Sequence, residues 1–523
     1  MHLMRGLRGV CAGGHPLTAE AGRRAFELGG NAIDAAVAAQ LMATVAEPLL
    51  TGLGGGGLAM LKRGSRVETL DFFSNRPGLG PQRTIAPLEH VDVQFGVDFQ
   101  RFSYGVSSVA TPGMIYGLWA LHKAGGLLPL PKLARWAADV ADRGLEVSEG
   151  LSKSIVALAP ILKKDPYLEP KFFIGHQDNR HICGPGHRYH LPELSETLMR
   201  WASGGPDALF TGEPLLAIRE TLGDFAALTT HDLEAYQIEW RDALRVTLKS
   251  MGRAARLWTP GLPSQGGAQI AAILESFASE RSRLGEGAVL EPLGIEAVNL
   301  IAEAMRTLEL RKGPDWPRAL VSDQAQAWRF QPGFTTHLST YDNEGNSVGI
   351  TSSLGETAGL SVSSLGLILN NFMGEEDVAP SRCMPQIGDR LFTMCSPTLL
   401  EVDHPEGIQG YMLGSGGSSR IRSVIAHGVL YLVDGLLGLG GDLAEVVKAP
   451  RIHLEDQKLR LETFGRPDGL IEDLRSSCEA KEESLICFDD LNLFFGGLHL
   501  ASGGALGIGG AGDPRRSGSV TIA

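Results

Sequence analysis

Cysteine is scarce in this chain. Its six residues, Cys11, Cys183, Cys383, Cys395, Cys478 and Cys487, form no C-x-x-C pair, which argues against a zinc site or a disulfide scaffold and fits a reducing cytoplasm. Basic clusters are missing too. With 47 Lys and Arg against 60 Asp and Glu the net charge is -13, and no run of cations could follow a phosphate backbone, so nucleic acid is not an expected partner. No hydrophobic run reaches the roughly 20 residues of a bilayer span. The most apolar stretch near the start, Ala32 to Val45, is broken by Asp34 and Gln40 and reads as a buried helix. The basic start, Met1 to Arg8, leads into Gly13, Gly14, His15 and Pro16 rather than an apolar segment, so a signal peptide is not expected. The 14 histidines include no H-E-x-x-H. His181, His187 and His190 lie in a polar loop without a matching carboxylate pattern, and neither a metal nor another cofactor is expected.

What the chain has is apolar mass. At 523 residues and 43% hydrophobic content it can build a large globular enzyme. Thr18 reads as the cap of a helix reaching Leu28, Gly29-Gly30 as its stop, and Asn31 as the cap of a second, alanine-rich helix ending at Pro48. Leu58 to Leu61 and Val67 to Phe73 flank Arg63-Gly64-Ser65 as a hairpin would. Residues 113 to 310 read as mainly helical. From Thr335 the pattern turns to short strands: Thr336 to Tyr341, Ser347 to Ser353, Leu399 to Val402 and Gly410 to Leu413. Ile421 to Leu437 reads as a helix, Gly503 to Gly512 as a loop, and Ser519 to Ile522 as a last strand. The sum is an α+β arrangement in layers.

Gly52 to Gly57 satisfies G-x-G-x-x-G by spacing, but it follows a helix and precedes a strand, the reverse of a nucleotide fingerprint. Close packing is the better account of those glycines. Glu375-Glu376-Asp377 could do acid/base work, yet an adjacent acidic run reads first as an exposed turn. The densest chemistry begins at Phe334-Thr335-Thr336-His337-Leu338-Ser339, where the loop Gln331-Pro332-Gly333 enters a strand. Thr351-Ser352-Ser353, Leu369-Asn370-Asn371-Phe372-Met373, Ser396-Pro397-Thr398 and Gly414-Ser415-Gly416-Gly417-Ser418-Ser419-Arg420 follow in order.

This ordered set resembles the small subunit of gamma-glutamyltranspeptidases. The likeness extends upstream to Gly29 through Ala38, Glu47-Pro48, the glycine run, Leu70-Asp71-Phe72 and Pro263-Ser264-Gln265-Gly266-Gly267, and downstream to Val447 through His453. It implies a four-layer αββα fold of the N-terminal-nucleophile hydrolase type. It also implies a precursor cut between Phe334 and Thr335 into a large subunit, 1-334, and a small one, 335-523. Thr335 would then be the nucleophile, with its freed α-amine as base, since an unperturbed amine near ~8 suits proton transfer at neutral pH.

By the same resemblance Ser353 supports the Thr335 hydroxyl, and the backbone N–H groups of Gly417 and Ser418 form the oxyanion hole. The substrate pocket departs from the family. Phe73 stands where a carboxylate-binding arginine is usual, with Arg76 three residues on as a stand-in. Thr393 and Met394 replace paired serines. Gly355, Phe372 and Glu375 occupy the asparagine, glutamine and aspartate positions that face the substrate's α-amine. A small-molecule substrate with a more apolar acyl group than γ-glutamyl is expected, with glutathione a poor one. Phe73 and the endings Asn492 to Gly497 and Asp513 to Arg516 resemble a divergent bacterial branch that includes enzymes of alkylproline-containing antibiotic biosynthesis. Hydrolysis of a carbon–carbon bond is therefore an alternative, and a binding protein without turnover is a third reading.

Overall fold

The computed structural model describes residues 7–95, 98–175, 180–250, 253–284, 294–311, 334–433, 442–466 and 469–523. Twelve of its strands join edge to edge: β1 (Gly9–Gly13), β2 (Gly56–Arg63), β3 (Arg66–Phe72), β4 (Glu239–Ser250), β5 (Arg253–Pro260), β6 (Thr335–Asp342), β7 (Ser347–Ser353), β8 (Thr398–His404), β9 (Gly407–Gly416), β10 (Gly497–Gly504), β11 (Gly509–Ala511) and β12 (Ser519–Ile522). Their order is β11-β10-β9-β8-β5-β4-β3-β2-β7-β6-β1-β12, with every neighbouring pair antiparallel. β4 joins the two halves, because Glu239–Asp242 pairs with β3 while Ala243–Ser250 pairs with β5. The halves meet where β6 packs on β9 and β10.

The helices that cover this sheet are α1 (Pro16–Glu27), α2 (Ala32–Ala46), α3 (Gln265–Arg283), α4 (Ile295–Arg311) and α5 (Arg420–Val433). α2 lies on β6 and β7, α3 on β4 and β5, and α5 on β9. Each group seals its own apolar core. All 15 residues of α2 are buried, which its small side chains permit by letting neighbouring backbones close in. Asn31 caps it as the sequence suggests: its side chain accepts the N–H groups of Ile33 and Asp34 at 2.9 and 3.1 Å, and Asp34 accepts that of Asn31 at 3.0 Å. Such a cap contributes about 1 kcal/mol.

The cap of α1 is a correction. Pro16 opens the helix, and His15 rather than Thr18 caps it, accepting from the Leu17 N–H at 3.1 Å. Thr18 instead donates to Glu47 at 2.8 Å. The glycine run does pack closely: a Cβ on Gly54 would come 2.1 Å from the Ile368 carbonyl oxygen, and one on Gly55 2.1 Å from that of Ser353.

Two further expectations are corrected. The supposedly helical region from 113 to 310 contains the long hairpin β4–β5, whose signal is period two: Val246 and Leu248 are buried while Thr247 between them is exposed. Gly503 to Gly512 is a hairpin rather than a loop, since β11 pairs back on β10. Gly503 is there because a Cβ would meet the Tyr341 ring at 2.3 Å. Gln331–Gly333 and the last four residues of the expected helix to Leu437 lie outside the described residues.

Candidate active site

The β6–β7 hairpin sets the geometry. Its turn is tied by Asp342, whose Oδ1 accepts the N–H groups of Glu344 and Asn346 at 3.0 and 2.9 Å. A fixed turn fixes register, so Thr335 at the start of β6 falls opposite Ser353 at the end of β7. Both side chains are buried. The Thr335 hydroxyl lies 3.4 Å from Ser353 Oγ, and Ser353 donates to the Phe334 carbonyl oxygen at 2.6 Å while accepting the Gly355 N–H at 2.9 Å. One serine thus touches both the threonine hydroxyl and the carbonyl of the peptide bond that precedes it.

The next two residues of β6 anchor the strand. Thr336 donates to Glu47 at 2.6 Å, and burial pushes that carboxyl above its ordinary range. His337 sits between the hydroxyls of Thr351 and Ser339, each at 2.8 Å. Burial holds its ring pKa well below the usual value, and with both ring nitrogens bonded to hydroxyls the imidazole serves to anchor the strand.

The turn from β9 into α5 abuts Thr335. A Cβ on Gly416 would fall 1.9 Å from the Thr335 carbonyl oxygen, so only glycine fits there. Gly417 has φ +122° and Ser418 φ +48°. A non-glycine residue in the left-handed region is strained by about 1 kcal/mol or more, and the Ser418 hydroxyl offsets this by donating to Asp377 at 2.9 Å. The turn ends at the N-terminus of the 14-residue helix α5, where the backbone dipole favours negative charge.

The rings of Phe73 and Phe372 pack against each other with centroids 4.7 Å apart and planes inclined at 35°. With Leu58, Ala110, Leu391 and Cys395 they make a separate apolar cluster. Asp71 beneath is held by two arginines, Arg241 at 3.0 Å and Arg390 at 3.2 Å. Arg76 is half-buried and donates to the Pro385 carbonyl at 2.7 Å. Thr393 accepts the Cys395 N–H at 3.1 Å, and Met394 belongs to the core under α3, its sulfur 3.8 Å from Gln269 Nε2. Of the pocket residues expected from sequence, Phe73 and Phe372 come together, and Gly355 meets Glu375. Arg76 and Met394 are turned to other partners.

The acidic run is the largest correction. Glu375 and Asp377 are buried rather than in an exposed turn, and with Glu356 they form a cluster beside Gly355. A Cβ on Gly355 would lie 2.0 Å from Glu375 Oε1, an oxygen that has no hydrogen-bond partner among the described residues. Asn371 donates to Glu356 at 2.8 Å. Burial raises all three carboxyls, Glu356 to about 8 and Asp377 to about 6; repulsion from Glu356 and Asp377 adds to it at Glu375, and the hydrogen bonds from Asn371 and Ser418 oppose it at Glu356 and Asp377. Sequence reasoning passed over Glu356, a lone carboxylate without periodicity, and read the run that holds Asp377 as a surface turn. The alternation of Glu375 and Asp377 about the half-buried Glu376 was the available signal.

Among the described residues no group of three His, Cys, Asp or Glu could hold a metal, and no helix is long and apolar enough to cross a membrane.

The gamma-glutamyltranspeptidase family model matches residues 18–312 and 311–523. The chain is 29% identical to the acylase ACY 1 proenzyme of Pseudomonas sp. (strain V22), over 87% of this chain and 84% of that one. It is 26% identical to the glutathione hydrolase proenzyme of Pseudomonas aeruginosa, over 82% and 79%. Among solved structures it resembles the cephalosporin acylase from Bacillus halodurans, with a TM-score of 0.77 and 20% identity over 100% of this chain and 97% of the other. That likeness shows a shared fold, mixed α and β around a large antiparallel sheet. With a family model spanning nearly its whole length, this chain belongs to the gamma-glutamyltranspeptidase family.

Proposed function

We propose that the chain is a self-processing hydrolase or acyltransferase that cleaves an amide bond of a small molecule, with Thr335 as nucleophile and an acyl pocket altered from the γ-glutamyl type. In this reading the helices and the two sheet halves form the four layers of an N-terminal-nucleophile hydrolase, and the precursor divides into 1-334 and 335-523. The observation that carries the proposal is the contact of Ser353 with both the Thr335 hydroxyl and the Phe334 carbonyl oxygen.

Attack of Thr335 Oγ on the Phe334 carbonyl carbon expels the Thr335 nitrogen and leaves an ester. Water then cleaves the ester, freeing a carboxylate on Phe334 and an α-amine on Thr335. That amine takes the hydroxyl proton when Thr335 attacks substrate, passes it to the leaving amine, and next activates the water that releases the acid. The N–H groups of Gly417 and Ser418 stabilise the oxyanion of each tetrahedral intermediate. His337, bonded at both nitrogens, takes no part. The acylase and glutathione hydrolase relatives support acyl transfer as the reaction class. The packed rings of Phe73 and Phe372 support an acyl group lacking the full amino-acid head of glutamate, because a carboxylate set against them would lose solvation without gaining an arginine.

The test is a burst of coloured amine from a panel of acyl 4-nitroanilides, γ-glutamyl included. Processed wild-type protein should give a burst with at least one of them and Thr335→Ala none. Absence of a burst across the panel would reject the reading.

A further inference from the structure

Near the end of the chain two adjacent arginines have opposite surroundings. Arg515 is saturated: it donates to Glu462 at 2.8 and 2.6 Å, to Asp513 at 3.3 Å, and to the carbonyls of Val447 and Ala449 at 2.9 and 3.0 Å. Arg516 has no acceptor within hydrogen-bond reach of its guanidinium among the described residues, and its Nε is enclosed without a partner.

Its neighbours are committed elsewhere. Asp513 is engaged by Arg451 and Arg515. Both oxygens of Glu47 are occupied by the hydroxyls of Thr18 and Thr336, so Asp513 and, more weakly, Glu47 attract Arg516 only through space. Arg451 adds repulsion. Arg516 is half-buried, so its guanidinium is partly withdrawn from water without a paired anion, a state that an anionic ligand would relieve. Burial pushes its pKa down to about 10, so it keeps its charge at neutral pH.

The position of Arg516 is as telling as its isolation. Its side-chain stem runs along Gly497, where a Cβ would meet its Cβ, Cγ and Cδ at 2.9, 3.0 and 3.1 Å. The tip reaches the turn next to the nucleophile, where Nη2 lies 3.4 Å from the Cβ position of Gly417. Glycine at 497 clears its path, and the N-terminus of α5 lies just beyond. The nearest anion on the other side, Glu47, is bonded to the residue that follows Thr335. An unpaired planar fork of donors between the oxyanion turn and the nucleophile strand suits a carboxylate.

We propose that Arg516 is the anion-binding residue of this site and holds a carboxylate of the substrate, in place of the arginine that Phe73 has displaced. The inference rests on the hydrolase reading and adds a substrate class to it: amides that carry a free carboxylate on the acyl or on the amine side.

Calorimetric binding tests it without requiring turnover. Processed wild-type protein, Arg516→Met and Arg516→Lys are titrated with glutarate, which stands for an acyl-side carboxylate, with 4-aminobenzoate, which stands for an amine-side one, and with glutaramide as neutral control. At least one anion should bind wild type and bind Arg516→Met about tenfold or more weakly, equivalent to about 1.4 kcal/mol, with Arg516→Lys between them and glutaramide affected much less. Whichever anion responds names the side. Binding of neither anion to wild type, an unchanged affinity in Arg516→Met, or an equal loss for glutaramide would overturn the proposal. If Arg516→Met does not fold, the lysine variant decides by the same comparison. Failure of the nitroanilide burst would count against the hydrolase reading and leave this result standing.

Discussion

Ser353 donates its hydroxyl hydrogen to the carbonyl oxygen of Phe334 at 2.6 Å, across a strand pair that also sets it opposite Thr335. In the proposed self-processing, the Phe334–Thr335 bond is polarised by the residue that contacts the Thr335 hydroxyl. Loss of one such donor slows comparable steps by about a hundredfold. Ser353→Ala should accumulate uncut precursor, its half-time lengthened by roughly that factor, whereas Ser353→Thr keeps a hydroxyl and should still process. The check is precursor decay on a denaturing gel, and equal decay in the alanine variant would remove Ser353 from the mechanism.

The proposed specificity rests on the contact of Phe73 with Phe372. Glutathione should be hydrolysed slowly compared with an amide lacking the amino-acid head of glutamate, by at least about tenfold in kcat/KM. Competition between the two in one vessel measures that ratio directly. Preference for glutathione would mean that the pocket reading is wrong.

Arg76 has its guanidinium on the Pro385 carbonyl, which ties the loop before Arg390 to the strand end at Phe73. Arg76→Ala should cost about 1 kcal/mol of stability and change KM for a carboxylate-bearing substrate by less than about twofold. A rise of about tenfold would assign Arg76, not Arg516, to the anion.

The buried carboxyls give a pH signature. Glu356, Glu375 and Asp377 all hold protons more tightly in the folded protein than an unfolded chain does, the first up to about 8 and the last up to about 6. Their contribution to stability is complete below the unfolded carboxylate range near ~4, and it is lost as pH rises through the folded values. The melting temperature of wild type should therefore fall from about pH 5 to about pH 8.5 more steeply than that of Glu375→Gln. Parallel curves would show that the cluster does not titrate in this window.

Local signals carried the sequence reading a long way where they are strong. Asn31 as a cap, the paired runs around Arg63 to Ser65, and the strands opened by Thr335 and Ser347 all depend on neighbours within a few residues, and each is found in the structure. The hairpin β4–β5 was obscured because charged residues in Glu239 to Arg256 break up its apolar faces, and the strand is buried on only part of its length. At the site, Thr335, Ser353 and the turn at Gly417 could be placed because their order resembles a family. Arg516 could not, since nothing in the sequence distinguishes it from Arg515. Only the three-dimensional accounting of acceptors shows that, among the described residues, one is paired and its neighbour is not.

The central claim is that Thr335 becomes an N-terminus. Purified protein should separate into two chains, and N-terminal sequencing of the smaller should begin Thr335-Thr336-His337, while Thr335→Ala stays a single chain. A wild-type protein that turns over substrate fully as an intact 523-residue chain would contradict the account.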